Sequence, residues 1–250
     1  MNKMTLAATT EALENSWDGA AIEAKGRALN PAIQAMIELS DSIRSAGFVT
    51  RMNYSLKRAI DIVGSLIFLI LLSPVYLITA IAILIEDGYP FFYNQYRVAE
   101  KGRLFKMYKF RSMYRDADAR KKELESDSMT GSVIFKMKDD PRITKTGKII
   151  RKLSIDELPQ LWNVLKGDLS LVGPRPPIPD EVAEYTDYEW KRLAVKPGLT
   201  CTWQVSGRSD IDFETQVKMD IEYINNWNIL RDFNLLFRTI PAVLSGKGAY

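Results

Sequence analysis

The feature that most constrains this chain is an uncharged apolar stretch, "IVGSLIFLILLSPVYLITAIAILI", which runs from Ile62 to Ile85. Spanning the hydrocarbon part of a bilayer takes about 20 apolar residues, so this stretch is long enough to meet lipid. About sixty mostly polar residues precede it and no small-residue cleavage site is evident, so we do not expect a removed signal peptide. The sequence therefore predicts a membrane-associated protein.

A Ser-Pro pair interrupts the middle of this stretch. Pro74 has no backbone N–H to donate to the carbonyl of Ile70, and its ring disfavours a straight helix. The hydroxyl of Ser73 is placed to donate back to the preceding turn. We therefore predict a helix that breaks at Ser73 and Pro74. Each half of about twelve residues reaches roughly 18 Å, which is about half a bilayer.

Positive charge flanks the stretch on both sides, and this favours keeping both of its ends in the cytoplasm. A re-entrant hairpin, which enters and leaves by the same face, satisfies both the break and the flanks. A single kinked span is also physically tolerated, and composition alone favours neither the hairpin nor the single span. The flanking cations are Arg51, Lys57 and Arg58 before the stretch, and Arg97, Lys101, Arg103, Lys106, Lys109 and Arg111 after it.

Composition limits the chemistry that the rest of the chain can perform. It has no histidine and one cysteine, Cys201, so a histidine-based triad, a histidine-ligated zinc ion and an intramolecular disulfide are excluded. The 34 lysines and arginines barely exceed the 31 aspartates and glutamates, but residues 97–115 are dominated by cations. Such a local cluster suggests anionic phosphates or a membrane surface.

Two adjacent carboxylates, Asp156 and Glu157, stand in the segment "KLSIDELPQLWNVLKGDLSLVGPRP". Ser154 and Glu157 form a capping-box pattern, whereas Pro159 fits better if a helix starts at Glu157 with Asp156 as its N-cap. Both readings place the carboxylates at a helix N-terminus, and Gly167 is a natural end for that helix. Acidic residues are favoured there whatever the function, so the pair alone is weak evidence of catalysis.

The neighbours of the pair favour a phosphate site. A helix N-terminus attracts anions, and Arg151 lies just upstream of the carboxylates. The segment "GPRP" fixes Arg175 in a rigid turn, where its planar guanidinium is suited to holding a phosphate with two hydrogen bonds.

Four motifs in order resemble those of the bacterial sugar transferase family, the monotopic polyprenyl-phosphate phosphoglycosyl transferases. The resemblance runs from about Tyr54 to the C-terminus and includes the Ser-Pro break with its basic flanks. One departure is Cys201, where many members have glycine. The motifs are "KFRSM" at 109–113, "DPRITKTGKIIR" at 140–151, "RKLSIDELPQLWNVLKGDLSLVGPRP" at 151–176 and "KPGLTCTWQVSGR" at 196–208.

This resemblance implies transfer of a sugar 1-phosphate from a UDP-sugar to polyprenyl phosphate, with release of UMP, as the first membrane step of exopolysaccharide, capsule or O-antigen synthesis. It implies a re-entrant segment in the bacterial inner membrane with the active site facing the cytoplasm. Asp156 would be the nucleophile, and Glu157 would help to hold Mg²⁺ or orient the acceptor. The residues expected to bind substrate phosphates are Lys109, Arg111, Arg151, Arg175 and Arg208.

We therefore expect a mainly helical α+β fold in three parts: a polar arm at 1–53, the hairpin and its connection at 54–96, and a cytoplasmic catalytic domain at 97–250. Aromatics and cations around Gly102 predict a short strand pair or an extended stretch. Amphipathic helices near the C-terminus carry one apolar stripe through Val217, Ile221, Ile224 and Trp227 and another through Phe233, Leu236, Phe237 and Ile240. Both stripes suit packing on a core, which is the commoner case, or lying in the membrane interface.

Two other functions fit the residues. A membrane-anchored module without catalysis would use its basic face to bind anionic lipid or a polysaccharide-assembly partner. A direct-displacement glycosyltransferase would use Glu157 as a base and release UDP. We expect no nucleic-acid partner, and the sequence leaves self-association open.

Overall fold

The computed structural model describes residues 38, 40–42, 48–117, 119 and 140–245, and most of the predicted polar arm lies outside them. The fold is mainly helical α+β, as predicted. The helices are α1 (Phe48–Leu71), α2 (Ser73–Asp87), α3 (Lys145–Lys152), α4 (Gln160–Lys166), α5 (Pro179–Ala183), α6 (Phe213–Asn225) and α7 (Ile229–Ser245). The strands are β1 (Phe92–Val98), β2 (Leu104–Phe110), β3 (Ser170–Val172) and β4 (Gly198–Thr200).

The predicted break in the apolar stretch is confirmed. Helix α1 ends at Leu71 and α2 begins at Ser73, with a bend of 58° between their axes. Ser73 donates its hydroxyl to the carbonyl of Ile70 at 2.8 Å, which satisfies the acceptor that Pro74 leaves without a backbone donor. The two halves form an open V, so they do not fold back on each other as a closed hairpin. Among the described residues, no single helix is long and apolar enough to cross a bilayer, whereas the bent pair of α1 and α2 meets that criterion by length and composition only.

Two of the basic residues before the apolar stretch have partners inside the protein. Lys57 lies within α1 and forms an ion pair with Asp232 of α7 at 2.5 Å. Arg58 donates to the carbonyl oxygens of Val164 and Leu165 at 2.7 and 2.8 Å. These cations attach α1 to the rest of the protein, and the topology expected from the basic flanks stays a prediction.

The inner face of α1 also binds strand β3. Asp61 is buried and accepts hydrogen bonds from the Ser170 hydroxyl at 3.0 Å and the Leu171 N–H at 2.8 Å. A Cβ on Gly64 would lie only 2.9 Å from the Leu171 side chain, so glycine allows this close approach. Helix α1 therefore packs directly on the domain that follows it.

Two small sheets support the region between the bent helices and the C-terminal helices. Strands β1 and β2 form the predicted antiparallel pair, with Gly102 at a positive φ of 80° in the turn. Strands β3 and β4 are parallel, with Ser170 opposite Gly198. A Cβ on Gly198 would lie 2.0 Å from the backbone N of Gly173, so only glycine fits where β4 meets the start of the Pro-Arg-Pro turn.

The two apolar stripes near the C-terminus have different surroundings. Val217, Ile221 and Ile224 of α6 are buried in the protein. In α7, Phe237 is 70% exposed and Ile240 is 58% exposed, although Leu235 on the opposite face is buried. The core explanation is therefore confirmed for α6, whereas much of the α7 stripe lies on the surface.

Candidate active site

The Asp156–Glu157 pair lies in a 3₁₀ turn, Ile155–Glu157, between α3 and α4. The predicted N-cap is wrong because α4 begins only at Gln160, directly after Pro159, and no side chain caps it. Ser154 adopts a left-handed φ of 54°, which separates the turn from α3, and its side chain forms no capping bond. Gly167 ends α4 with a φ of 94°, as predicted. The acidic pair therefore has no role in capping α4, and this removes the main structural reason for its presence.

Lys109 of β2 lies against both carboxylates. Its ammonium nitrogen is 2.7 Å from Glu157 Oε1 and 3.9 Å from Asp156 Oδ2. Burial and, to a smaller extent, the adjacent Glu157 charge together raise the pKa of Asp156 to about 6, against the attraction of Lys109. Burial also tends to raise the pKa of Glu157, but Lys109 and Arg175 outweigh it and hold that pKa at about 2. The pair thus divides into a constantly ionised glutamate and an aspartate that titrates much closer to neutrality.

Arg175 has an open guanidinium beside this pair. The guanidinium lies over the ring of Trp203, with 5.7 Å between its carbon and the ring centroid. Within the described part of the chain, the Arg175 side chain makes no hydrogen bond or ion pair, although its charge acts on Glu157. The five N–H donors of an arginine suit a planar, two-point contact with phosphate oxygens.

An opening of about 240 Å³, which includes solvent at its mouth, is lined by Glu157, Lys109 and Arg175. Asp156 and Arg151 are not among its lining residues, although Asp156 is adjacent to Glu157 in the turn. Its wall is formed mostly by polar side chains from β1, β2, the Ile155–Glu157 turn, α4, the loop that follows β3 and the segment that follows β4. Those polar residues are Arg97, Lys109, Glu157, Gln160, Arg175 and Gln204. The opening therefore brings three cations to one carboxylate of the pair, an arrangement suited to a ligand with several negative charges.

Arg97 is a member of this site that the sequence placed only in the basic flank. It is buried, and it donates to the Pro176 carbonyl at 3.1 Å and to Gln95 at 2.8 Å. Burial and the nearby Arg175 charge lower its pKa to about 9. Its contact with Pro176 holds the Pro-Arg-Pro turn, so Arg97 positions Arg175 as well as adding charge.

Arg151 lies in the last turn of α3, close enough for its charge to lower the pKa of Asp156. The other two predicted phosphate ligands lie elsewhere. Arg111 pairs with the Asp87 carboxylate at 3.1 Å and donates to the Gly88 carbonyl at 2.7 Å, at the end of α2. Arg208 lies in a short 3₁₀ turn, and its backbone N–H bonds to the Trp203 carbonyl at 3.0 Å. Neither lines the opening.

Asn163 is a second residue of the site that the sequence did not reveal. It is fully buried in α4, donates to the Lys106 carbonyl at 2.7 Å and accepts from the Tyr108 N–H at 3.1 Å. These bonds join α4 to β2 immediately before Lys109, so they fix the distance between Lys109 and the acidic pair. A buried asparagine between apolar residues was the only signal available in the sequence.

The donor set at Asp156 and Glu157 fits Mg²⁺ in its chemistry. The described residues contain no cluster of three or more histidine, cysteine or acidic side chains. Mg²⁺ in phosphate-handling enzymes, however, is usually held by one or two carboxylates together with substrate phosphates and water. The two carboxylates already share one cation, the Lys109 ammonium.

Residues 52–246 of this chain match the bacterial sugar transferase family. Galactosyl transferase CpsE of Streptococcus agalactiae is 48% identical over 77% of this chain and 43% of its own length. Undecaprenyl-phosphate galactose phosphotransferase of Salmonella typhimurium is 47% identical over 80% of this chain and 43% of its own length. The exopolysaccharide production protein ExoY of Sinorhizobium fredii is 39% identical over 78% of this chain and 88% of its own length.

The alignment with the first two relatives thus covers less than half of their length. The family match begins within α1 and ends just beyond α7, so it contains all the site residues described above, from Arg97 to Arg208. On the extent of that match and the identity to these relatives, the chain belongs to the bacterial sugar transferase family.

Proposed function

We propose that this protein transfers a sugar 1-phosphate from a UDP-sugar to undecaprenyl phosphate in two steps through Asp156. In the first, an Asp156 carboxylate oxygen bonds to the β-phosphorus of the donor, the bond from that phosphorus to the bridging oxygen breaks, and UMP leaves. In the second, a phosphate oxygen of the acceptor bonds to the same phosphorus and the acyl phosphate bond breaks. The product is a polyprenyl diphosphate sugar, and Asp156 is regenerated as a carboxylate.

The observation that carries this proposal is a buried carboxylate beside an opening lined with cations. Attack of a carboxylate on a phosphate requires that their negative charges be neutralised. Lys109 lies against the acidic pair, Arg151 acts on Asp156 from α3, and Arg175 is open toward the mouth. The name of the Salmonella relative, undecaprenyl-phosphate galactose phosphotransferase, supports the same reaction class.

The state of Glu157 favours two steps over direct displacement. A general base needs a pKa near the working pH. Glu157 is held ionised at a pKa of about 2 and is bonded to Lys109 at 2.7 Å, so it is a weak base. We assign it to holding Lys109 and to ligating Mg²⁺ together with Asp156. A bound Mg²⁺ would neutralise charge on the donor diphosphate.

Arg175→Lys tests the two-point phosphate contact. Lysine retains the charge but loses the planar fork, so we expect kcat/KM for the UDP-sugar to fall roughly ten- to a hundredfold. Arg231→Lys is a matched control, since Arg231 pairs with Glu222 on the surface of the protein. Steady-state kinetics of both variants provide the measurement. Wild-type kinetics in Arg175→Lys would show that the Pro-Arg-Pro turn has only a structural role.

The reaction itself is tested by a screen of UDP-sugars with undecaprenyl phosphate, with UMP as the measured product. We expect UMP with at least one donor, and no UDP. Release of UDP would indicate direct displacement. No nucleotide release with any donor would favour a binding module without catalysis.

We propose that α1 and α2 form a re-entrant segment in the bacterial inner membrane, with the active site facing the cytoplasm. Apolar side chains on the outer faces of both helices are exposed to solvent, among them Leu71 at 66% and Ile85 at 81%. Helix α7 adds a further open apolar surface, with Phe237 at 70% and Leu244 at 73% exposed. Surfaces of this kind suit a helix lying in the membrane interface.

Cysteine labelling in whole cells tests this topology. Met52 lies near the start of α1 and is 53% exposed, and Asp180 is an exposed residue of α5. Cys201 is buried, so its background reaction is expected to be slow. We expect Met52→Cys and Asp180→Cys to react with a membrane-impermeant thiol reagent only after permeabilisation.

Restoring the helix across the break provides the matched variant. With Ser73→Ala and Pro74→Leu, the backbone ladder can continue through the bend. We expect a fraction of Met52→Cys to become reactive from the periplasm in that background. Periplasmic reaction of Met52→Cys with the break intact would contradict re-entry.

A further inference from the structure

Helix α2, the second half of the bent pair, directly contacts the elements around the 3₁₀ turn Ile155–Glu157, which we call the catalytic turn. The Tyr76 hydroxyl donates a hydrogen bond to the carbonyl of Leu158 at 2.5 Å, although the two residues are far apart in sequence. Leu158 directly follows the acidic pair, and its carbonyl also accepts from the Leu161 N–H at 2.9 Å in the first turn of α4. The Tyr76 hydroxyl therefore binds at the joint between the catalytic turn and α4.

Packing around Tyr76 reinforces this contact. The Tyr76 ring meets the Phe110 ring edge to face, with 5.4 Å between centroids. Phe110 ends β2, directly after Lys109. Tyr76 belongs to an apolar cluster that also contains Ile150 of α3 and Ile155 of the catalytic turn. One face of α2 thus contacts the elements that carry Lys109, Arg151 and Asp156.

A second contact holds the far end of α2. Glu86 accepts hydrogen bonds from the backbone N–H groups of Lys145 and Thr146 at 2.7 and 2.8 Å. These residues begin α3, whose last turn carries Arg151. Helix α2 is therefore attached at one point to the start of α3 and at another to the turn that follows it.

We propose that Tyr76 is a positioning residue, through which the broken membrane helix sets the orientation of the acidic pair. Its hydroxyl fixes the Leu158 carbonyl, and this bond limits rotation of the Ile155–Glu157 turn relative to Lys109. The proposal rests on the two-step transfer proposed above. It gives the break at Pro74 a second role, because the bend sets the path along which α2 reaches the catalytic turn.

The test compares Tyr76→Phe with wild type in steady-state kinetics and in the first turnover. Phenylalanine retains the ring packing on Phe110 and removes only the hydroxyl. We expect kcat and the rate of first-turnover UMP release to fall roughly ten- to a hundredfold, with KM for the UDP-sugar within about twofold of wild type, because misplaced reacting groups slow the chemical step more than binding.

Tyr185→Phe is the matched control. The Tyr185 hydroxyl donates to Glu181 at 2.9 Å and accepts from Arg192 at 2.7 Å, so its loss removes buried hydrogen bonds that do not reach the turn. We expect this variant to lose thermal stability and to keep its kcat. An equal loss of kcat in both variants would overturn the proposal.

Two further outcomes would also overturn it. One is a wild-type kcat in Tyr76→Phe with a loss only in Tyr76→Leu, which would show that the ring acts and the hydroxyl does not. The other is a Tyr76→Phe defect confined to KM. Failure of the underlying reaction is distinguishable, since wild-type protein would then release no UMP with any donor.

Discussion

A protein carrying Asp156→Asn is expected to fold, to be more stable than wild type near pH 7, and to release no UMP. A carboxamide cannot form the acyl phosphate, so we expect a loss of at least about a thousandfold in turnover. If the acidic pair were purely structural, the variant would keep nearly normal activity, because asparagine is nearly isosteric with aspartate.

The gain in stability follows from the raised pKa of Asp156. Burial moves that pKa from its ordinary 3.8 to about 6, so the unfolded chain releases its proton at lower pH than the folded protein. Ionisation of Asp156 therefore lowers the free energy of unfolding as pH rises from about 4 to about 6, and the cost persists above that range. At about 1.4 kcal/mol per pKa unit, the cost near pH 7 is on the order of 3 kcal/mol.

Denaturant unfolding of both proteins in detergent, near pH 7 and near pH 4, measures this difference. We expect Asp156→Asn to exceed wild type at the higher pH and the two curves to converge at the lower pH. A lower stability of the variant near pH 7 would show that the Asp156 carboxylate stabilises the fold. That result would contradict the assignment of Asp156 as a nucleophile whose ionisation lowers the free energy of unfolding.

Lys109→Gln is expected to slow the enzyme strongly near neutral pH and to recover in part at higher pH. Glutamine retains a hydrogen-bond donor for Glu157 but removes the charge that, after burial, most affects the pKa of Asp156. That pKa should rise further, and below it the ionised fraction of Asp156 falls about tenfold per pH unit. We expect kcat/KM near pH 7 to fall by roughly ten- to a hundredfold.

The pH profile of kcat/KM distinguishes this cause from a general loss of structure. We expect the acidic limb of the wild-type profile to lie near the raised pKa of Asp156 and the limb of Lys109→Gln to lie at higher pH. Lys148→Gln removes an exposed cation from α3 and should leave the profile unchanged. A Lys109→Gln profile with a wild-type limb would assign Lys109 to substrate binding alone.

The break in the apolar segment could be predicted because its causes are local. Pro74 removes one donor, and the acceptor that it leaves free is the carbonyl of Ile70, which Ser73 reaches at 2.8 Å. The strand pair around Gly102 and the end of α4 at Gly167 are local in the same sense, since each depends on one glycine at positive φ. The sequence also drew attention to the acidic pair, but the helix start that it predicted at Asp156 and Glu157 lies further along, at Gln160.

Residues whose partners lie far along the chain were not predictable. The sequence showed Lys57 only as a cation beside the apolar stretch, since its partner, Asp232, lies 175 residues away. Arg97 was assigned likewise, although it binds the Pro176 carbonyl 79 positions later. The predicted N-cap at Asp156 failed because Ser154 adopts a left-handed conformation that no sequence rule required. Composition identified the cations, but only the fold shows which of them face the acidic pair.

The central claim is that Asp156 carries the sugar phosphate between the two substrates. The most direct measurement incubates wild-type protein with a donor that supports turnover, without undecaprenyl phosphate, and analyses the digested protein by mass spectrometry, with Asp156→Asn treated in parallel. We expect about one UMP released per wild-type molecule, a sugar phosphate on the peptide that contains Asp156, and neither product from the variant. Release of UMP only in the presence of the acceptor, with no modified peptide under any condition, would contradict this claim.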